Sequence, residues 1–281
     1  MTEYFIHNVR FYDHEPKAIH CMAYEESAER LALSRADGSI EIWNCSYRPY
    51  LYHVIGGNEE SSVEALIWCH GRLFSAGLHG FILEYDLGTL QAKSHTAVTG
   101  GPTWCLALSP DKKKLAAGTE EGYVCLFDIT EEGLLYDRTL DKQDGRILNI
   151  GWHKSGEYVV TGSVDFIRLW SLDKGQVTRF PVGRESRNKE TIVWCVAILD
   201  DMTIVSGDSR GKTSFWDGKL GTLLDSVQTH KAHVQCLQVA PNQHSVYVAG
   251  VVYMMSPAIV EAVYGYIESV SNYRYNRWVE S

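Results

Sequence analysis

Apolar residues along this chain come in short bursts and not in helical stripes. Each burst is rich in Val, Ile, Leu and aromatics and is bounded by Gly, Asp, Ser or Pro. That pattern predicts short buried strands separated by tight turns. The bursts also recur. Residues 31–44 (LALSRADGSIEIWN) return as 73–86 (LFSAGLHGFILEYD), 115–128 (LAAGTEEGYVCLFD), 159–171 (VVTGSVDFIRLWS) and 204–217 (IVSGDSRGKTSFWD). The closing aromatics are Trp43, Tyr85, Phe127, Trp170 and Trp216, at intervals of 42, 42, 43 and 46.

A second apolar segment precedes each of these, at residues 19–24, 63–68, 103–108, 147–152, 193–198 and 234–239. Their third residues are spaced by 44, 40, 44, 46 and 41. Two independent anchors with one period define a structural repeat. Each unit reads as a buried strand, a polar turn, a second strand ending in a small residue, a tight turn, a third strand ending on the aromatic, and a more polar fourth strand. Four strands per unit make the sheet of a β-propeller blade. The fold class is therefore all-β, a propeller of five clear repeats and an incomplete sixth. Residues 246–250 begin a sixth second strand, and the expected tight turn and aromatic strand do not follow. The domain division is 1–250 for the incomplete propeller and 251–281 for a divergent tail, partly ordered or helical. A truncated, alternatively spliced or misjoined gene product is the expectation for that end.

Composition narrows the function classes. The 281 residues are 45% hydrophobic and 11% aromatic, enough for a large core without disulfide or metal staples. The net charge of −9 opposes a bare electrostatic grip on nucleic acid or anionic lipid. Seven cysteines in a chain of this size do not make a secreted disulfide framework, and the first residues carry no signal-peptide pattern. A reducing, intracellular address is expected. No zinc spacing, P-loop, dinucleotide fingerprint or nucleophile elbow is present, so neither cofactor nor metal nor catalytic residue is assigned. An enzyme with its site in the central channel needs converging acids, bases or ligands, which apolar strands do not supply.

The Trp43-Asn44, Trp170-Ser171 and Trp216-Asp217 pairs at this period resemble WD repeats. Residues 33–38, 73–77, 100–104, 146–148, 191–194 and 215–217, with the opening Phe5 to Phe11, resemble the cirhin family, WD-repeat small-nucleolar-RNA-associated proteins of the small-subunit processome. The resemblance runs from about Glu3 to Gly250. It implies a seven-bladed first propeller of a protein more than twice this length. It implies a non-catalytic scaffold of the nucleus and nucleolus, supporting pre-rRNA processing and rRNA gene transcription. Implied partners are other WD-repeat and helical processome proteins, with pre-ribosomal RNA and small nucleolar RNA contacted mainly indirectly, and no membrane. A ubiquitin-ligase substrate receptor is the alternative for a WD propeller. Two features depart from the WD pattern. The Gly-His pair is nearly absent, with His233 the one similar placement. The tight-turn aspartate is found at Asp37 and Asp165 but is replaced around Glu121 and Ser209. Bracing by polar contacts is thus expected to be incomplete.

Several residues have two readings. Cys21, Cys105, Cys195 and Cys236 share one repeat position; in a ring they cannot gather on one metal, so they read as small core residues. Trp104 and Trp194 also share a position, and either fill an inter-blade gap or anchor a base or peptide. Lys112, Lys113 and Lys114 read as a solvated hairpin. Residues 184–189, with Arg184, Arg187 and Lys189, form a polar insertion suited to phosphates or acidic partner residues. Arg35, Arg146, Trp104, Trp194, Arg184, Arg187 and Lys189 are the interaction candidates. Asn44-Cys45-Ser46 is a glycosylation sequon without a secretory signal. Residues 246–267 are mostly apolar and about membrane-length, but contain Pro257 and Glu261 and begin as a repeat-phased strand. Phe5 to Phe11 has the alternation of a strand that completes a last blade.

Overall fold

The computed structural model describes residues 17–58, 62–184 and 186–250. These hold 22 strands and no helix, arranged as five four-stranded antiparallel sheets and one two-stranded sheet, each a simple meander. The first strands of the modules are Ile19–Glu25, Ala65–Cys69, Thr103–Leu108, Asn149–Trp152, Val193–Ile198 and Val234–Val239. The second strands are Arg30–Arg35, Arg72–Ala76, Lys114–Thr119, Tyr158–Gly162, Thr203–Asp208 and Val246–Gly250. The third strands, in modules one to five, are Ile40–Asn44, Phe81–Asp86, Val124–Ile129, Phe166–Ser171 and Lys212–Asp217. Fourth strands run Tyr50–Ile55, Gln91–Ala97, Leu134–Thr139, Val177–Pro181 and Thr222–Gln228. First strands of successive modules lie against one another, and fourth strands are mostly exposed, so the modules stack around an axis with their first strands innermost.

The core sits between sheets. A sheet of this size has two apolar faces and cannot keep either dry alone, so neighbours must cover them. Each of the four hydrophobic clusters joins two consecutive modules: Ile40 and Ile42 with Leu73 and Tyr85, Phe74 and Ile82 with Leu115 and Phe127, Val124 and Leu126 with Val159 and Trp170, Ile167 and Phe180 with Ile204 and Trp216. In modules two to five the repeat aromatic therefore packs on the sheet before it. Trp216 meets Phe180 edge-on, with centroids 6.0 Å apart. Trp43 belongs to the first module, where no preceding sheet lies among the described residues. It is half-buried, on a face shared with Tyr24 and Met22, which are 52% and 63% exposed.

Polar bracing follows the repeat in a form that the sequence did not disclose. The Tyr85 hydroxyl lies 2.9 Å from Ser75 Oγ; Trp170 Nε1 donates to Thr161 Oγ1 at 3.2 Å and Trp216 Nε1 to Ser206 Oγ at 2.9 Å. These hydroxyls share one position on the second strand. Phe127, with no polar tip, has Ala117 there, and Trp43 has Leu33. Trp43 Nε1 turns instead to Glu41 at 2.9 Å, which Arg35 holds in a two-pronged ion pair. An aromatic tip buried with an acceptor keeps its packing gain without a desolvation loss.

The shared cysteine position is a seam device. Cys21, Cys105 and Cys195 donate Sγ–H to the carbonyls of Val63, Ile147 and Val234, each at the entry to the next module. Burial pushes all three thiols up to about 12, which leaves them protonated and poor nucleophiles. Cys236, in the last described module, is exposed. The tight turns need a left-handed residue, supplied by Gly38, Gly80, Gly122 and Gly211. The fourth module's turn is one residue shorter, and Asp165 itself takes that conformation at φ 61°. Asp37 instead precedes its glycine, so the two aspartates read as equivalent from sequence occupy different turn positions.

Val246–Gly250 pairs antiparallel with Val234–Val239, as the repeat phase requires. The suggested closing strand at 5–11 and the tail at 251–281 lie outside the described residues. Among those described, no helix is long and apolar enough to cross a membrane.

Candidate docking site

The tight turn of each module and the connector entering the next first strand meet at one end of the sheets. Backbone bonds from Thr103 N to Gly77 O, Ile147 N to Thr119 O and Val193 N to Ser163 O fix this meeting. Most interaction candidates fall at this end, because loops here are held by the strands they join.

Two equivalent constellations stand out. In module three, Trp104 Nε1 donates to Glu120 Oε2 at 2.6 Å, Arg146 Nη2 pairs with Glu120 Oε1 at 3.2 Å, and the Arg146 guanidinium lies 5.5 Å over the Trp104 ring. Arg146 comes from the entry to the next module, so this trio closes a seam. In module five, Trp194 stacks on His233 with centroids 5.9 Å apart and planes at 22°. His233 stands at the repeat position of Arg146, and Ser209 at that of Glu120. The difference has a backbone cause. Pro102 has no N–H, so Glu120 is free to serve Trp104. Its counterpart Ile192 has one, and Ser209 Oγ accepts it at 3.0 Å. Trp194 Nε1 is consequently covered and has no acceptor among the described residues.

Beside this second trio opens a cleft of about 590 Å³, lined by Arg184, Lys189, Ser209, Arg210, Lys212, Lys231, Ala232 and His233. Three connectors supply its cations. Arg184 Nε is held by Asp165 Oδ2 at 2.6 Å, and Arg210 by Asp208 Oδ2 through Nε at 2.9 Å and Nη2 at 2.6 Å. Asp208 is 2% exposed, accepts the backbone N–H of Arg210 and Lys212, and fixes the turn on which both stand. Arg210 also reaches Val182 O across the seam at 3.2 Å. Lys212 and Lys231 make no ion pair among the described residues.

The other candidates are dispersed. Arg35 sits at the end of a strand on the first module, with its guanidinium committed to Glu41. Arg187 is exposed in a turn closed by the Ser186–Lys189 bridge, outside the cleft lining. The lysine run is split: Lys112 and Lys113 are exposed, while Lys114 pairs with Asp128 at 2.8 Å and Asp137 at 2.6 Å. Sequence reading missed Asp208, Arg210, Lys212 and Lys231. Aligning the repeat turns would have placed the first three beside residues 184–189. Among the described residues, no group of His, Cys, Asp and Glu is placed to hold a metal ion.

A family model described as the Nucleolar protein 10-like N-terminal domain matches residues 4–223. The chain belongs to this family. Its relatives include the Homo sapiens U3 small nucleolar RNA-associated protein 4 homolog, 42% identical over 250 residues, 87% of this chain and 36% of that protein. The Schizosaccharomyces pombe U3 small nucleolar RNA-associated protein 4 is 34% identical over 265 residues, covering 88% of this chain and 37% of its own length. The Saccharomyces cerevisiae protein of the same name is 32% identical over 269 residues, covering 88% and 34%. The chain thus spans about a third of the length of these curated relatives. Their names agree with the small-nucleolar-RNA-associated WD-repeat resemblance carried by the sequence motifs.

Proposed function

We propose that the chain is a non-catalytic docking scaffold of the small-subunit processome, acting in ribosome biogenesis in the nucleolus. The observation that carries this reading is the relatedness to U3 small nucleolar RNA-associated proteins over most of the chain. The geometry supports it. The recurring polar and sulfur groups are spent on structure: thiols bond the next module's carbonyls, and aromatic tips bond second-strand hydroxyls within their own module. What remains for function is a rim of rigidly mounted loops, the form of a protein that positions partners. With net charge −9, contacts to processome proteins dominate, and pre-ribosomal and small nucleolar RNA are held through them.

Imaging of a fluorescently tagged copy tests the address. Concentration in the nucleolus is the expected result. A diffuse cytoplasmic signal would remove the processome reading and leave room for a ubiquitin-ligase receptor.

A further inference from the structure

We infer that the cleft between modules four, five and six binds the side-chain carboxylates of an acidic peptide segment. The chain's own repeat points to it. In module three, a tryptophan, a stacked cationic residue and a carboxylate form a complete set: Trp104, Arg146 and Glu120. Module five keeps the tryptophan and its stacked partner, Trp194 and His233, but has Ser209 in place of the carboxylate. Ser209 is held there by the Ile192 N–H. Around that same point the cations have multiplied: Arg184, Lys189, Arg210, Lys212 and Lys231 line one cleft, in a chain that is acidic overall. The chain supplies its own acid in one module; in the other it presents cationic groups and room for an acid from outside.

Two features make this a prepared surface. The Arg184 and Arg210 guanidiniums are anchored from behind by Asp165 and Asp208, whose side chains are 9% and 2% exposed. Fixing a guanidinium in advance lowers the ordering cost of pairing it with a ligand. Lys212 and Lys231 then add ammonium groups without ion-pair partners among the described residues. The covered Trp194 Nε1 is not a contact; it marks where the module-three arrangement is unfinished.

A nucleic-acid strand fits less well. Single-strand recognition relies on open aromatic faces and a basic track that follows the backbone. The sole aromatic of the lining is His233, and one of its faces is already covered by Trp194. Carboxylates of Asp165, Asp208 and Glu190 contact the cleft's arginines, which confines the positive charge to a short patch. A few carboxylates on a flexible peptide match that patch. The inference names a partner chemistry for the docking role and rests on that reading only in taking the loop end as a docking surface. Mislocalisation of the tagged chain would leave the binding measurement below untouched.

The test uses the full chain and fluorescence anisotropy with three labelled probes: a short Asp/Glu-rich peptide, the same peptide with Asn and Gln in place of the acids, and a mixed-sequence single-stranded RNA. The acidic peptide is expected to bind in preference to both others, and more weakly as salt rises. Lys212→Glu combined with Lys231→Glu should weaken it roughly tenfold or more. Lys113→Glu, in the exposed hairpin at the opposite end of the sheets, should leave it unchanged. Thermal melts of the variants check that each is folded, and Lys231→Ala, at an exposed position, provides a milder replacement if the double reversal is not. The inference is overturned if the acidic peptide binds no better than its neutral counterpart. It is equally overturned if the folded cleft variants bind it as well as the parent does. RNA binding at least as tight, lost in the same variants, would reassign the cleft to phosphodiesters.

Discussion

Phe127→Ala lowers the unfolding free energy by about 3–5 kcal/mol, the usual cost of removing a large ring from a close-packed interior. Phe127 has no exposed surface, meets Tyr136 edge-on at 6.0 Å, and sits in the cluster that joins modules two and three with Phe74, Ile82 and Leu115. Its position recurs as Trp43 in the first module, where the equivalent face carries exposed Met22 and Tyr24 and no preceding sheet among the described residues. Trp43→Ala should accordingly cost less than half as much, although tryptophan is the larger side chain. Urea titrations followed by far-ultraviolet circular dichroism make the comparison. Equal losses at the two positions would show that the first sheet's outer face is covered as fully as an internal seam, contrary to the exposure seen here.

Gly122→Ala should be as damaging, for a backbone reason. Gly122 is at φ 88°, and an added Cβ would fall inside van der Waals contact of Gln143 O, with Gly145 O 2.9 Å away. Both are main-chain atoms of the connector into module four and cannot rotate aside. The left-handed conformation alone costs a non-glycine residue about 1–3 kcal/mol, and the displaced connector adds to that. Gly80 is the internal control. It has the same turn position at φ 75°, but its Cβ would stand 3.3 Å from Gly101 O. Gly80→Ala therefore loses little beyond the conformational cost, and the melting temperature of Gly122→Ala should fall clearly further. Equal shifts would mean that the turn and connector are not in the close register described.

These contrasts show which parts of the molecule could be read from residue order. Strand positions and module boundaries were legible because burial against two neighbours imposes the same apolar demand every forty-odd residues. The sixth second strand at Val246–Gly250 was legible for the same reason. Cys105 and Cys195 were legible as core residues, whereas Cys21 is half-buried and Cys236 exposed. The donation of the first three cysteines to Val63, Ile147 and Val234 was not legible, since it depends on how far one sheet is rotated from the next. Asp165 was misleading: one deleted turn residue puts it in a glycine's conformation while leaving it looking like a neighbour of Asp37. The cationic cleft was half-visible. Arg184 and Lys189 lie in an evident insertion, whereas Arg210, Lys212 and Lys231 come from other connectors. Only the stacking of modules brings those loops together, and short of aligning the repeat turns no pattern within one segment reports it.

The most direct test of the account is purification of a tagged copy of the chain from cell extract, with and without nuclease, followed by identification of what remains bound. If the propeller positions partners through protein contacts, processome proteins stay associated after the RNA has been digested. Loss of every one of them on digestion would contradict the account and make RNA the primary ligand.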